Sequence, residues 1–139
     1  MSVLVDTCVW SLGLRRKEPL SLSARQRRLV EALAKLVSER QEVFIGPIKQ
    51  ETLSGVRNAV LFGQLRKYFA KMHEVPMEPD DYVRAARFFN TLVSKGITGK
   101  SVDLMICAVA YRLNIRIFTT DKDFTNFARV LPIRLYVVE

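Results

Sequence analysis

The sequence predicts an α/β fold, a parallel sheet of about four to five strands covered on both faces by helices. Three observations predict it. Short apolar runs at 3–5, 43–45 and 115–119 are too brief for helices and read as buried strands. Longer segments with apolar residues at helical spacing separate them. The connections are short, with no internal repeat, low-complexity tract or linker, so strands alternate with helices as a parallel sheet requires. At 139 residues the chain is read as one domain spanning 1–139, long enough to bury a real core.

Taken in order, Val3-Leu4-Val5 is the first strand, and Asp6-Thr7 caps a helix carrying Val9, Trp10 and Leu12. The segment RRKEPLS at 15–21 interrupts that helix with three cations and a proline. Ser23 opens a long amphipathic helix with Leu29, Leu33, Leu36 and Val37 on one face. Val43-Phe44-Ile45 is the second strand. Gly46-Pro47 then starts a helix, because proline suits a first helical position. Glu51 lies about one turn into that helix, which stops near Gly55. Asn58 caps the next, with Val60, Leu61, Leu65 and Phe69. His73-Glu74-Val75 is a short third strand, and Pro79-Asp80-Asp81 starts a helix reaching about Lys95. The loop KGITGK follows. Ser101 is expected to cap a helix with Asp103 in its first turn, Ile115–Thr119 is a strand, Asp121-Lys122-Asp123-Phe124 leads into a short helix, and Leu135–Val138 is a last strand.

Lys plus Arg number 22 against 14 Asp plus Glu, a formal charge of +8. Such a balance points to a polyanionic partner, nucleic acid before membrane, against the plainer reading of a solvated surface. Cys8 and Cys107 have neither metal-ligand nor disulfide spacing and read as buried free thiols of a reducing compartment. MSVLVD runs straight into a strand, so neither a signal peptide nor a membrane span is expected, and the location expected is cytoplasmic.

Within this basic chain, four carboxylates stand where strands meet helices or helices begin. Asp6 closes the first strand, Asp121 stands just beyond the strand ending at Thr119, and Glu51 and Asp103 lie early in helices that follow loops. In a right-handed crossover sheet all four face the carboxyl edge, where ligands bind. Gathered carboxylates repel unless a cation or shared protons intervene, and magnesium, or manganese, suits oxygen donors. Such an ion activates water for in-line attack on phosphorus, and no 2′-hydroxyl is needed, so 5′-phosphate and 3′-hydroxyl ends are expected. Glu51 or Asp123 is placed to orient or deprotonate that water. Whether one metal or two is held stays open, and Asp123 reads equally as a further ligand or a solvated helix-start acid.

DTCVW near the start, Glu51 in PIKQETLSG, Asp103 in SVDLMICAVA and FTTDKDF together resemble the PIN-domain ribonucleases, over about residues 3–137. The short form resembles the toxins of the VapBC toxin–antitoxin family. The resemblance implies a three-layer α/β/α sandwich and a metal-dependent endoribonuclease that cleaves structured RNA (transfer or ribosomal) and so inhibits translation. It implies Asp6, Glu51, Asp103 and Asp121 as catalytic and metal-holding residues, with Asp123 at a second position and Thr7 and Thr120 as supporting hydroxyls. It also implies a VapB-like antitoxin and a homodimer as partners. Cys8 departs from the Ser or Asn frequent in the family, and GITGK is an unusual loop before Asp103.

Arg15, Arg16 and Lys17, with Lys49, Lys100 and Lys122 near the proposed ligands, read as phosphate-gripping residues, set against a merely solvated surface. Trp10 reads as core rather than a base-stacking platform. His73, the single histidine, excludes a cyclising ribonuclease built on a histidine pair. Haloacid-dehalogenase-type phosphatases want an acid at the place of Cys8, and receiver domains want paired acids after the first strand; neither pattern is present. The alternatives kept are a free-standing RNA-processing nuclease of the same fold, and a binding module that has lost catalysis.

Overall fold

Val3, Leu4 and Val5 are all buried, as a strand with helices over both faces must be. They form β1 of a computed structural model that describes residues 1–14 and 21–138. The elements run β1 (Val3–Val5), α1 (Thr7–Leu14), α2 (Ala24–Ser38), β2 (Glu42–Ile45), α3 (Gly46–Leu53), α4 (Ala59–Lys71), β3 (Glu74–Val75), α5 (Pro79–Ser94), α6 (Ser101–Leu113), β4 (Arg116–Phe118) and α7 (Asp123–Val130).

The sheet order is β3-β2-β1-β4, every pairing parallel, with Leu4 opposite Val43 on one side and Ile117 on the other. The chain steps outward from β1 to β3, then crosses back to lay β4 on the far side of β1. Strand order therefore reverses between β1 and β4, and a crevice opens at their carboxyl ends. Helices flank this four-stranded sheet, which is the α/β arrangement the sequence predicts.

The capping residues act as their chemistry directs. Ser23 Oγ accepts from Gln26 N–H, and Gln26 Oε1 accepts from Ser23 N–H, a reciprocal cap that starts α2. Asn58 Oδ1 accepts from the N–H groups of Val60 and Leu61 to start α4. Asn114 ends α6 at φ 54°, a left-handed conformation that asparagine tolerates. Leu29, Leu33 and Leu36 bury the predicted face of α2. Trp10 is fully buried, donates its indole N–H to Val5 O at 3.0 Å and packs edge-on against Phe44, Tyr68 and Phe69. Leu65, Phe69 and Phe88 are core, whereas Phe62 and Phe89 are exposed.

Two expectations change. Ser101 does not cap α6; Lys100 occupies the cap position without a side-chain hydrogen bond, and Ser101 is the first helical residue. The last strand reduces to a single parallel bridge, Leu135 with Ile117, because β4 is only three residues long and Val137 beyond the bridge is 75% exposed. Among the described residues no helix is long and apolar enough to cross a membrane.

Candidate functional site

Asp6 follows β1 directly, and its backbone N–H donates to Phe118 O of the neighbouring β4. That bond fixes it in the crevice where strand order reverses. Its carboxylate is only 6% exposed yet densely hydrogen-bonded. Oδ1 accepts from Thr7 N–H at 2.7 Å; Oδ2 accepts from Thr119 Oγ1 at 2.8 Å and from Cys8 Sγ at 3.5 Å. Burial raises its pKa, the bonds from Thr119, Thr7 and Cys8 pull it back, and the charge of Glu51 raises it again.

Glu51 lies in α3 and is exposed, with Oε1 accepting from Thr7 Oγ1 at 2.7 Å. Asp103, in the first turn of α6, is buried, and its Oδ2 has no hydrogen-bond partner. Its pKa is pushed up to about 6, first by burial, then by the charges of Asp6 and Asp121, with a smaller push from Glu51 and a partial offset from a backbone hydrogen bond at Lys100. Asp121 accepts from Asp123 N–H through Oδ1 at 2.9 Å, and its own N–H donates to Thr119 Oγ1 at 3.0 Å.

The four carboxylates expected to converge do so. Asp6, Glu51, Asp103 and Asp121 line one cleft of about 500 Å³, together with Thr7, Cys8 and Lys100. Asp123 is exposed and stands outside that lining. Lys100 is at the cleft, whereas Lys49 is drawn away by Glu74, Nζ to Oε1 at 2.7 Å. Lys122 lines a neighbouring cavity. Arg15, Arg16 and Lys17 lie outside the described residues. Thr120 is exposed, and what it contributes is a backbone N–H to Cys8 Sγ at 3.3 Å. Its predecessor Thr119 supplies the hydroxyl that touches the acids.

Thr119, Gln50 and Ser54 were not anticipated from the sequence. Thr119 is signalled only by being the small polar residue at a strand end; nothing marks Gln50 or Ser54 short of the helix geometry that turns them into the cleft. Cys8, the departure from Ser or Asn, keeps polar contacts with Asp6, Thr119 and Thr120 through its sulfur. Burial and then the charge of Asp6 push its thiol pKa up, so it stays protonated. His73 lies elsewhere, its Nδ1 3.0 Å from Glu42 Oε1 at the amino end of β2.

Among the described residues no three His, Cys, Asp or Glu side chains stand close enough to enclose an ion on their own. The donor chemistry nevertheless fits a hard divalent cation whose remaining positions are filled by water. All four side chains offer oxygen, three of the acids couple electrostatically with Asp103, and its unpartnered buried Oδ2 is a carboxylate oxygen without a proton donor.

Residues 3–130 match the family described as PIN domain. No curated protein matches the sequence. Among solved structures the chain is similar to FitAcB from Neisseria gonorrhoeae, at 17% identity and a TM-score of 0.73, covering 97% of this chain and 96% of that one. VapBC2 from Rickettsia felis, bound to a DNA fragment from its promoter, gives 15% identity, a TM-score of 0.71 and 98% coverage of both chains. The Mycobacterium tuberculosis toxin VapC20, described as cleaving the sarcin–ricin loop, gives 16% identity, a TM-score of 0.69 and coverage of 96% and 99%. At these identities the likeness is one of fold.

Proposed function

The chain belongs to the PIN-domain family, and we propose that it is a metal-dependent endoribonuclease, the toxin of a toxin–antitoxin pair. The observation that carries the reading is Asp103 Oδ2, buried and unpartnered among three further carboxylates in a protein of net charge +8. A carboxylate so placed costs stability unless a cation accompanies it.

Asp6, Asp103 and Asp121 are the residues to hold magnesium or manganese, with Glu51 at the exposed rim. When bound there, such an ion supplies an acidified water and offsets charge on the phosphate oxygens. The chain's own groups do the rest. Thr119 and Thr7 N–H fix both oxygens of Asp6, so its orientation costs nothing when substrate arrives. Thr7 Oγ1 holds Glu51 Oε1, leaving the other oxygen to orient the attacking water and take its proton. Lys100 at the cleft attracts the phosphate. Water oxygen bonds to phosphorus as the bond to the 3′ oxygen breaks and that oxygen is protonated, giving 5′-phosphate and 3′-hydroxyl ends.

The likeness to VapBC2, and to a structure described as a toxin–antitoxin complex from Klebsiella pneumoniae, favours a VapB-like antitoxin as partner; a homodimer of this chain within the assembly rests on the family resemblance alone. The VapC20 relative's sarcin–ricin loop activity favours structured RNA as substrate and translation as the process inhibited. The test is incubation of the purified chain with total RNA and magnesium or manganese, with sequencing of the ends. Cleavage leaving 5′-phosphates, lost in Asp6→Asn and Asp103→Asn, is expected. Ends carrying 2′,3′-cyclic phosphate, or wild-type rates in both variants, overturn the reading.

A further inference from the structure

A second cavity, of about 390 Å³, adjoins the carboxylate cleft and shares the Cys8 and Asp121 walls with it. Its size lies in the ordinary range for small-ligand pockets, about 300–1,000 Å³. One side is the first turns of α2, bringing Arg25, Gln26 and Leu29; the other is the start of α7, bringing Lys122 and Thr125. Leu29 is buried and gives an apolar floor, while Arg25, Lys122 and Thr125 are exposed at the walls. Gln26 Oε1 is already occupied by Ser23 N–H, so its amide NH₂ is the group it can offer as a donor. Thr119 lines this cavity too and donates to Asp6 Oδ2, so the cavity wall is tied directly to the reacting site.

We propose that this cavity receives the nucleotide beside the scissile phosphate, its base on the Leu29 floor and its phosphate between Arg25 and Lys122. The inference rests on the nuclease reading and adds the residues that choose the sequence cut. An apolar floor accepts the face of a base, two cations match one phosphate, and the Gln26 and Thr125 side chains are placed to read base edges. A divalent ion alone has no use for such a mixed surface, and a purely electrostatic RNA track would lack the floor. The shared Cys8 and Asp121 wall sets any occupant beside the carboxylate cleft.

The test uses short RNAs carrying 4-thiouridine at each position in turn, photocrosslinked to the full chain in EDTA so that binding is read without cleavage. A crosslink to segments 25–29 or 119–125, confined to one position next to the cut, is expected. Thr125→Trp, which fills the cavity from an exposed position, and Arg25→Gln each raise KM for RNA about tenfold. Both also change the base preference at that position in a randomised RNA library, which a general loss of folding does not do. Crosslinks confined to other segments, or unaltered preference and KM in both variants, overturn the proposal even if the chain cleaves RNA. Site-specific crosslinks without any cleavage uphold the pocket and remove the nuclease reading instead.

Discussion

The Thr119 hydroxyl donates to Asp6 Oδ2 at 2.8 Å across 113 residues of sequence, while its oxygen accepts from Asp121 N–H at 3.0 Å. One side chain thus positions two of the acids. Thr119→Val keeps the shape and removes both bonds. Stability is expected to fall by about 1–2 kcal/mol in urea unfolding, and RNA cleavage by about tenfold or more at saturating magnesium. Wild-type turnover in a folded variant would show that the hydroxyl does not position the acids.

Asp103 stands at about 6 in the folded chain against an ordinary value of 3.8. Between those values the folded protein holds a proton that the unfolded chain has released, so stability falls as pH rises through that window. In EDTA the protein should melt higher at pH 5 than at pH 8. Asp103→Asn should flatten this dependence and stabilise the chain at pH 8 by on the order of 2 kcal/mol. A bound divalent cation favours the ionised carboxyl, so saturating magnesium should shrink the difference in melting between the two pH values. Melting in EDTA that is equal at both pH values removes this account.

Arg112 meets buried Asp81 with two hydrogen bonds, Nε to Oδ1 at 2.9 Å and Nη2 to Oδ2 at 3.0 Å, joining α6 to the first turn of α5. Burial alone would raise the Asp81 pKa, but the bonds from Arg112 and Glu78 N–H outweigh it and the net shift is downward. This contribution is complete at neutral pH and is lost as pH falls through the lowered folded value. Arg112→Met leaves Asp81 buried without its counter-ion and should cost about 3–5 kcal/mol at pH 7. The gap from wild type should narrow near pH 3; a gap independent of pH would argue that lost packing, not the ion pair, is responsible.

Gly99 explains part of the GITGK loop. A Cβ there would come within 2.6 Å of Leu104 Cδ2 and 3.1 Å of Phe127 Cζ, both buried side chains. Gly99→Ala must displace Leu104, the neighbour of Asp103, and is expected to cost about 1–3 kcal/mol in thermal or urea unfolding and to lower cleavage further than stability alone accounts for. Gly63→Ala, inside α4 with open space around it, is the control expected to raise stability by about 0.5–1 kcal/mol and leave cleavage unchanged. Equal behaviour of the two variants would refute the packing role.

Asp6, Glu51, Asp103 and Asp121 were legible because acids at strand ends and helix starts of a parallel sheet are set at its carboxyl edge by local periodicity and crossover handedness. Ser23 and Asn58 were legible as caps because capping is decided within four residues. Ser101 is not legible in this way, because a serine before a helix serves equally as cap or first residue, and here Lys100 takes the cap. Leu135–Val138 has strand composition, but pairing needs a partner, and the three-residue β4 provides one only at Ile117.

By itself, then, the sequence determined the order of strands and helices, the identity of the clustered acids and the basic field around them. These follow from side-chain periodicity and charge, which are local or additive. Tertiary structure alone decided that Thr119 rather than Thr120 holds Asp6, that Glu74 claims Lys49, that Asp123 stays outside the cleft, and that a second cavity shares its wall. Each of these depends on distances of a few ångströms between residues far apart in the chain. Those distances are set by how the elements pack, and hydrogen bonding and burial energies change sharply over that range.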